Sequence, residues 1–199
     1  MTARDLSHLL EPVARLRREE WCVAGVNQDV AYRIVAEHHY AKGASNTATY
    51  LHGLYPSKWH WYNECVGVAW WIPPTKSAAQ ATHPENWEGV LSLSRLAILP
   101  DTPKNAATFL LAGSRRLIDR DRWPVLLTYA DEWRGHTGAI YRADNWEYAG
   151  LTKPERCYTI KGVMTARKAG GHTRTHAEMM ALGAVCEGAF QKHKFVRRR

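Results

Sequence analysis

The chain has 199 residues, 45% of them hydrophobic and 23% charged, enough to close a single core in an ordinary globular composition. No apolar run approaches the roughly 20 residues that span a bilayer, and the first residues read as neither signal nor transit peptide, so no membrane is expected and a cytoplasmic location is. A net charge of +8, from 27 Lys and Arg against 19 Asp and Glu, favours a polyanionic partner, nucleic acid first, with plain solubility as the alternative.

In chain order, residues 1–20 read as a charged amphipathic helix, and "NQDVAYRIVAEHHY" (27–40) as a second, with an Asn start signal and Val30, Ile34 and Val35 at helical spacing. Two strand-like runs follow, "TYLHGLYP" and "ECVGVAWWIPP", the second stopped by two prolines. Residues 75–89 read as a polar loop. "VLSLSRLAILP" alternates as a strand, and "DTPKNAATFLLAGSRRLIDRDRWP" turns and runs as a helix. "VLLTYAD" (125–131) is a buried strand. A helix around 135–144 and two more strands, "WEYAGLT" and "RCYTIKG", complete the pattern. Residues 165–199 read as an appended helix, "HAEMMALGAVCEGAF", with basic flanks.

The expected fold is therefore α/β (α+β), a central mixed sheet flanked by helices, with a basic C-terminal helical extension. The expected division is a catalytic domain over 1–164 and the extension over 165–199. Four dispersed cysteines (Cys22, Cys65, Cys157 and Cys186) form no CxxC pair, so reduced, packed thiols are expected rather than a zinc ribbon.

Three stretches carry chemistry. The turn "ILPDTPKNAAT" offers a helix N-terminus with free N–H groups, the charge of Lys104, and the small residues Asn105 and Ala106 that let a phosphate approach. Together with the element order it resembles the acyl-CoA-dependent N-acyltransferases of the GNAT fold, although it lacks the glycines of their turn. A CoA donor is thus permitted, and a routine helix start is the plain alternative. Asp131 lies at the C-terminal edge of its strand, where open α/β sheets place ligands. Tyr141 follows on the next helix, and His38, His39 and Tyr40 close the helix expected beside the cleft. Carboxylate, imidazole and phenol can act as general acid and base, or can bind iron, and the sequence leaves both open. Arg95 on the neighbouring strand reads as an anion clamp or an ion-pair partner. Nine tryptophans among basic residues suit base stacking, with Trp59, Trp61, Tyr62 and Trp133 as candidates. Lys192, Lys194, Arg197 and Arg198 of the tail "QKHKFVRRR" are expected to contact phosphates.

The run "LSRLAILPDTPKNAATFLLAGSRRLI…WPVLLTYADEWRGHTGAIYRADNWEYAG", with upstream "EHHYAKGASN" and the basic tail, resembles the Mom family of phage DNA-modification proteins. Its specific part is "YAD…GHxGxIYxAxN". The resemblance implies a GNAT-like enzyme that installs a carbamoylmethyl group on adenine N6 in DNA, protects phage DNA from restriction, and requires iron. Carried over by motif, His39 and Tyr40 match the family's His–Tyr pair, Asp131 the acid of "YAD", Tyr141 the phenol of "GHxGxIY", and Arg95 the strand arginine. Ser114 matches a polar position on the helix after the turn. The implied metal ligands are His39, Asp131 and Tyr141. The donor is a CoA thioester or an aminoacyl-tRNA. An ordinary acetyl-CoA-dependent GNAT enzyme and a non-catalytic basic DNA-binding module remain the competing readings.

Overall fold

The computed structural model describes residues 15–56, 64–169 and 171–199. By its internal packing the chain divides into two units, residues 1–126 with 198–199, and residues 127–197.

In the first unit four strands, β1 (Cys22–Gly25), β2 (Tyr50–Tyr55), β3 (Gly67–Ile72) and β4 (Val90–Ile98), pair antiparallel in that order. The dipeptide Trp70–Trp71 in β3 organises both faces of this sheet. Successive strand residues point to opposite sides, and both rings are wholly buried. Trp70 packs with Val68 and Ala97 beneath helix α1 (Gln28–His38), which supplies Ala31, Ile34 and Val35. Asn27 caps α1 by accepting the Asp29 N–H at 2.8 Å. Trp71 faces helix α3 (Ala106–Leu117), whose buried side carries Leu110, Leu111 and Ser114. Gly113 lets α3 sit close on β1, since a Cβ there would lie 2.6 Å from Val23. A short helix α2 (Lys76–Gln80), capped by Thr75, occupies the stretch read as a polar loop.

The strand β5 (Val125–Asp131) opens in the first unit and closes in the second. The second unit continues with helix α4 (Ala139–Ala143), strands β6 (Glu147–Leu151), β7 (Glu155–Ile160), β8 (Val163–Thr165), β9 (Lys168–Ala169) and β10 (His172–Thr173), helix α5 (His176–Ala181), and strands β11 (Val185–Phe190) and β12 (Lys192–Arg198). Strand β12 lies between β5 and β6, β11–β7–β8 form a separate three-stranded sheet, and β9 and β10 form a hairpin. Tyr158, Met179 and Ala184 make a small core of their own.

Two expectations for the C-terminal region are corrected. The helix read through residue 190 stops at Ala181, because Gly183 takes a left-handed φ of 73° and ends it. Beyond it "VCEGAF" alternates exposed and half-buried as a strand, β11. The basic flank "QKHKFVRRR" of that expected helix is likewise a strand, β12, with Phe195 and Val196 buried. Arg197 donates to the carbonyls of Asp144 and Asn145 just past α4, and Arg199 to those of Arg115 and Ile118 at the end of α3. These guanidinium groups satisfy helix-end carbonyls at the negative pole of each dipole.

Candidate functional site

The residues named from sequence fall into both units. In the first, α1 ends at His39, whose backbone N–H reaches the Val35 carbonyl at 3.0 Å. The His39 ring stacks on Tyr40 with centroids 4.3 Å apart. Its Nδ1 accepts the Ala41 N–H at 3.1 Å, so in the neutral ring the proton sits on Nε2. In that tautomer His39 presents an Nε2–H donor.

Arg95 is half-buried. Its Nε donates to the Gly43 carbonyl at 2.8 Å, and Nη1 to the Ser94 carbonyl at 2.7 Å and the Ser94 hydroxyl at 3.2 Å. Burial lowers its pKa, and the nearby Tyr40 opposes that shift. The side chain ties the 39–45 loop to β4. At this point β4 bulges: Arg95 pairs with Trp70 but Leu93 with Trp71, leaving Ser94 as the extra residue. Bulges re-aim side chains and gather at active sites. A strand read as plain alternation gave no sign of it.

At the donor turn, Lys104 is exposed at the start of α3, as a phosphate contact requires. Asn105 is engaged otherwise: its Oδ1 accepts the Leu16 N–H at 2.7 Å and its Nδ2 donates to the Leu16 carbonyl at 3.3 Å. Ala106 is buried, with its N–H on Pro103. Ser114 is buried too, accepting the Trp71 indole N–H at 2.7 Å and lying 2.7 Å from His52 Nδ1. The side chains of Asn105 and Ser114 and the buried Ala106 are thus engaged within the fold, while Lys104 is exposed.

In the second unit Asp131 ends β5, buried, and caps the short turn Glu132–Arg134 by accepting the Trp133 N–H at 3.2 Å. Its carboxylate also lines a cavity of about 390 Å³, within the usual range of small-molecule sites. Trp133 and Phe190 form one wall, their rings stacked at 5.8 Å, with the Arg134 guanidinium 4.8 Å from the Trp133 ring. Four cations, Arg156, Arg167, Lys168 and Lys192, and two carboxylates, Asp131 and Glu155, line it. Cys157 also lines it, its thiol pKa raised by burial and by the charge of Asp131, against the opposing effect of Lys192. That thiol stays protonated near neutrality and is no ready nucleophile. Of these residues sequence reasoning found Asp131, Trp133 and Lys192. Phe190, Arg156 and Lys168 sit on strands whose pairing no local pattern announces.

Tyr141 does not line this cavity. It is buried against Trp146 and Phe195, with ring centroids 5.8 and 5.2 Å away. Burial raises its pKa despite a hydrogen bond with Thr128. The phenol is thus protonated near neutrality and packed in the core. The Arg197 guanidinium is likewise committed to helix-end carbonyls instead of phosphates. Trp59, Trp61 and Tyr62 lie outside the described residues.

The described residues give no support for the iron expected from the resemblance. His39 offers a protonated Nε2, Tyr141 is a buried phenol, and among the described residues no three of His, Cys, Asp and Glu group as a metal site. Among the same residues, no helix is long and apolar enough to cross a membrane.

Solved structures define the class. The ribosomal-protein-S18-alanine N-acetyltransferase of Escherichia coli superposes with a TM-score of 0.53 at 10% identity, over 89% of this chain and 93% of that one. A GCN5-related N-acetyltransferase from Kribbella flavida gives 0.54 at 11% identity, over 92% and 100%. An acetyltransferase from Bacillus subtilis, solved in complex with CoA, gives 0.52 at 6% identity, over 90% and 98%. Such likeness shows the fold, and it is the GNAT fold expected from the element order. The Mom protein family model matches residues 20–198, and the chain belongs to that family. A relative, the "Methylcarbamoylase mom" of Escherichia phage Mu, is 25% identical over 182 residues, 84% of this chain and 71% of that protein.

Proposed function

We propose that this chain is a transferase that modifies phage DNA in the host cytoplasm, placing a carbamoylmethyl group on adenine N6 and so shielding the DNA from restriction enzymes. The observation that carries this reading is the family match across residues 20–198, supported by a relative named as a methylcarbamoylase and by the GNAT fold. A CoA thioester is the donor we favour, because a solved neighbour holds CoA and Lys104 stands exposed at the start of α3.

Adenine N6 is a weak nucleophile, its lone pair delocalised into the ring. With a CoA thioester, N6 bonds to the carbonyl carbon as the C–S bond breaks, CoA departs as its thiolate with that electron pair, and N6 loses a proton. The glycyl amide so formed is an isomer of the carbamoylmethyl product, which a later rearrangement must reach. Asp131 is the group to receive the N6 proton, being a carboxylate at the end of β5 that lines a cavity of about 390 Å³. The Asp131 cap on Trp133 fixes one carboxylate oxygen and with it the rotamer. Within the first unit, Arg95 holds the loop that follows Tyr40 on β4. No step runs through a metal.

The test is the mass of the nucleosides. DNA from bacteria expressing the wild-type chain, digested completely, should contain a deoxyadenosine heavier by the carbamoylmethyl group. Cells expressing Asp131→Asn, which keeps the cap but loses the base, should contain none. Unmodified deoxyadenosine alone in the wild-type sample would overturn the reading.

A further inference from the structure

The cavity of the 127–197 unit combines three features. Its wall is aromatic, Trp133 stacked with Phe190. Its interior carries the carboxylate of Asp131, an acceptor able to take a hydrogen bond from an amino group. Its rim is cationic: Arg156 and Lys168 are exposed and Lys192 is half-buried, close enough together to line one opening. Aromatic faces stack on any base, and lysines and arginines neutralise phosphates. Enzymes acting on a base inside DNA must take it out of the stack into such a pocket. The β9–β10 hairpin contributes Lys168 and Thr173 to the same opening, and Arg167 braces its base by donating to the Arg174 carbonyl at 2.9 Å.

We infer that this cavity receives one unpaired nucleotide of the DNA substrate, its base against the Trp133–Phe190 wall beside Asp131 and its flanking phosphates on Arg156, Lys168 and Lys192. The inference rests on the DNA-modifying function proposed above and adds the place where the substrate nucleotide sits. The same chemistry, a base with phosphates, also belongs to the adenosine end of CoA, and the assay separates the two.

The assay is fluorescence anisotropy with a short labelled duplex, fully paired or with one adenine facing an abasic site. The unpaired adenine costs less to extrude, so the wild-type protein should bind the abasic duplex at least about tenfold more tightly. Trp133→Ala should erase that preference and Trp133→Phe should keep most of it, with thermal melts confirming that both fold. Lys168→Ala should weaken both duplexes alike and lower the log–log salt slope by about one. Excess CoA should leave binding unchanged. Equal affinity for the two duplexes, an undiminished preference in Trp133→Ala, or displacement of DNA by CoA would each overturn the assignment. Nucleoside masses keep the two ideas apart. Modified deoxyadenosine without the binding preference sinks the cavity assignment alone, and the preference without modified deoxyadenosine sinks the proposed reaction alone.

Discussion

Replacing His52 by Asn should remove a large part of the protein's acid sensitivity. His52 on β2 is buried, and its Nδ1 lies 2.7 Å from the Ser114 hydroxyl. That hydroxyl also accepts the Trp71 indole N–H, so both rings are tied to one buried serine. Burial lowers the His52 pKa from 6.5 to about 4. The unfolded chain takes up this proton near 6.5 and the folded chain only near 4, so stability is full above the first value and declines as pH falls towards the second. The whole difference corresponds to about 3 kcal/mol, of which about 2 kcal/mol is lost between pH 7 and pH 5. Asn offers an amide oxygen to the Ser114 hydroxyl but takes up no proton. Denaturant melts of both proteins at a series of pH values isolate this contribution, because the other titrating groups cancel in the difference. A wild-type minus His52→Asn stability difference that stays flat from pH 7 to pH 5 would refute the argument.

Other outcomes follow from the same geometry. Tyr141→Phe should lower stability by about 1 kcal/mol through the lost Thr128 hydrogen bond while leaving DNA modification intact, as read by melts and nucleoside masses. Deleting residues 192–199 should abolish the folded state, seen as loss of the cooperative melt, because it removes β12 with Phe195 and Val196. Gly138→Ala should destabilise by several kcal/mol: φ there is 77°, and a Cβ would lie 2.2 Å from the Phe195 ring. Cys157 should react with iodoacetamide at neutral pH more slowly than a free thiol, its pKa being raised by burial and by the carboxylate of Asp131.

Local signals made α1, β2 to β4, α3 and β5 readable, while β1 and α2 went unread and the helix expected over residues 1–20 lies mostly outside the described residues. The run "VLLTYAD" is a strand over the residues expected, Val125–Asp131, because both its faces are apolar and Pro124 precedes it. Helix α1 declared itself through the Asn27 cap and the spacing of Ile34 and Val35. What escaped was decided by turn chemistry or by long-range pairing. Gly183 ends α5 early, yet it stands in a run whose composition suits a helix. The arginines of the tail look like solvent-seeking charge until β12 brings them to carbonyls 81 to 84 residues away in sequence, as with Arg199. Similarly the Ser94 bulge exists only in the register of β4 against β3.

The segment that made the family recognisable, "YADEWRGHTGAIY", is explained mostly by backbone geometry. Asp131 caps a turn that ends at Gly135, with φ at 70°, and Gly138 repeats the left-handed conformation to launch α4. Both positions favour glycine for steric reasons, and at Gly138 the Phe195 ring forbids any side chain as well. Tyr141 then anchors α4 by packing against Phe195 and Trp146. Only Asp131 and Trp133 of this block reach the cavity. A motif can thus identify a family through residues whose work is to hold one carboxylate and one indole in place. If that division is right, Tyr141→Phe and Asp131→Asn, ten residues apart in one motif, should separate cleanly into a stability defect and an activity defect.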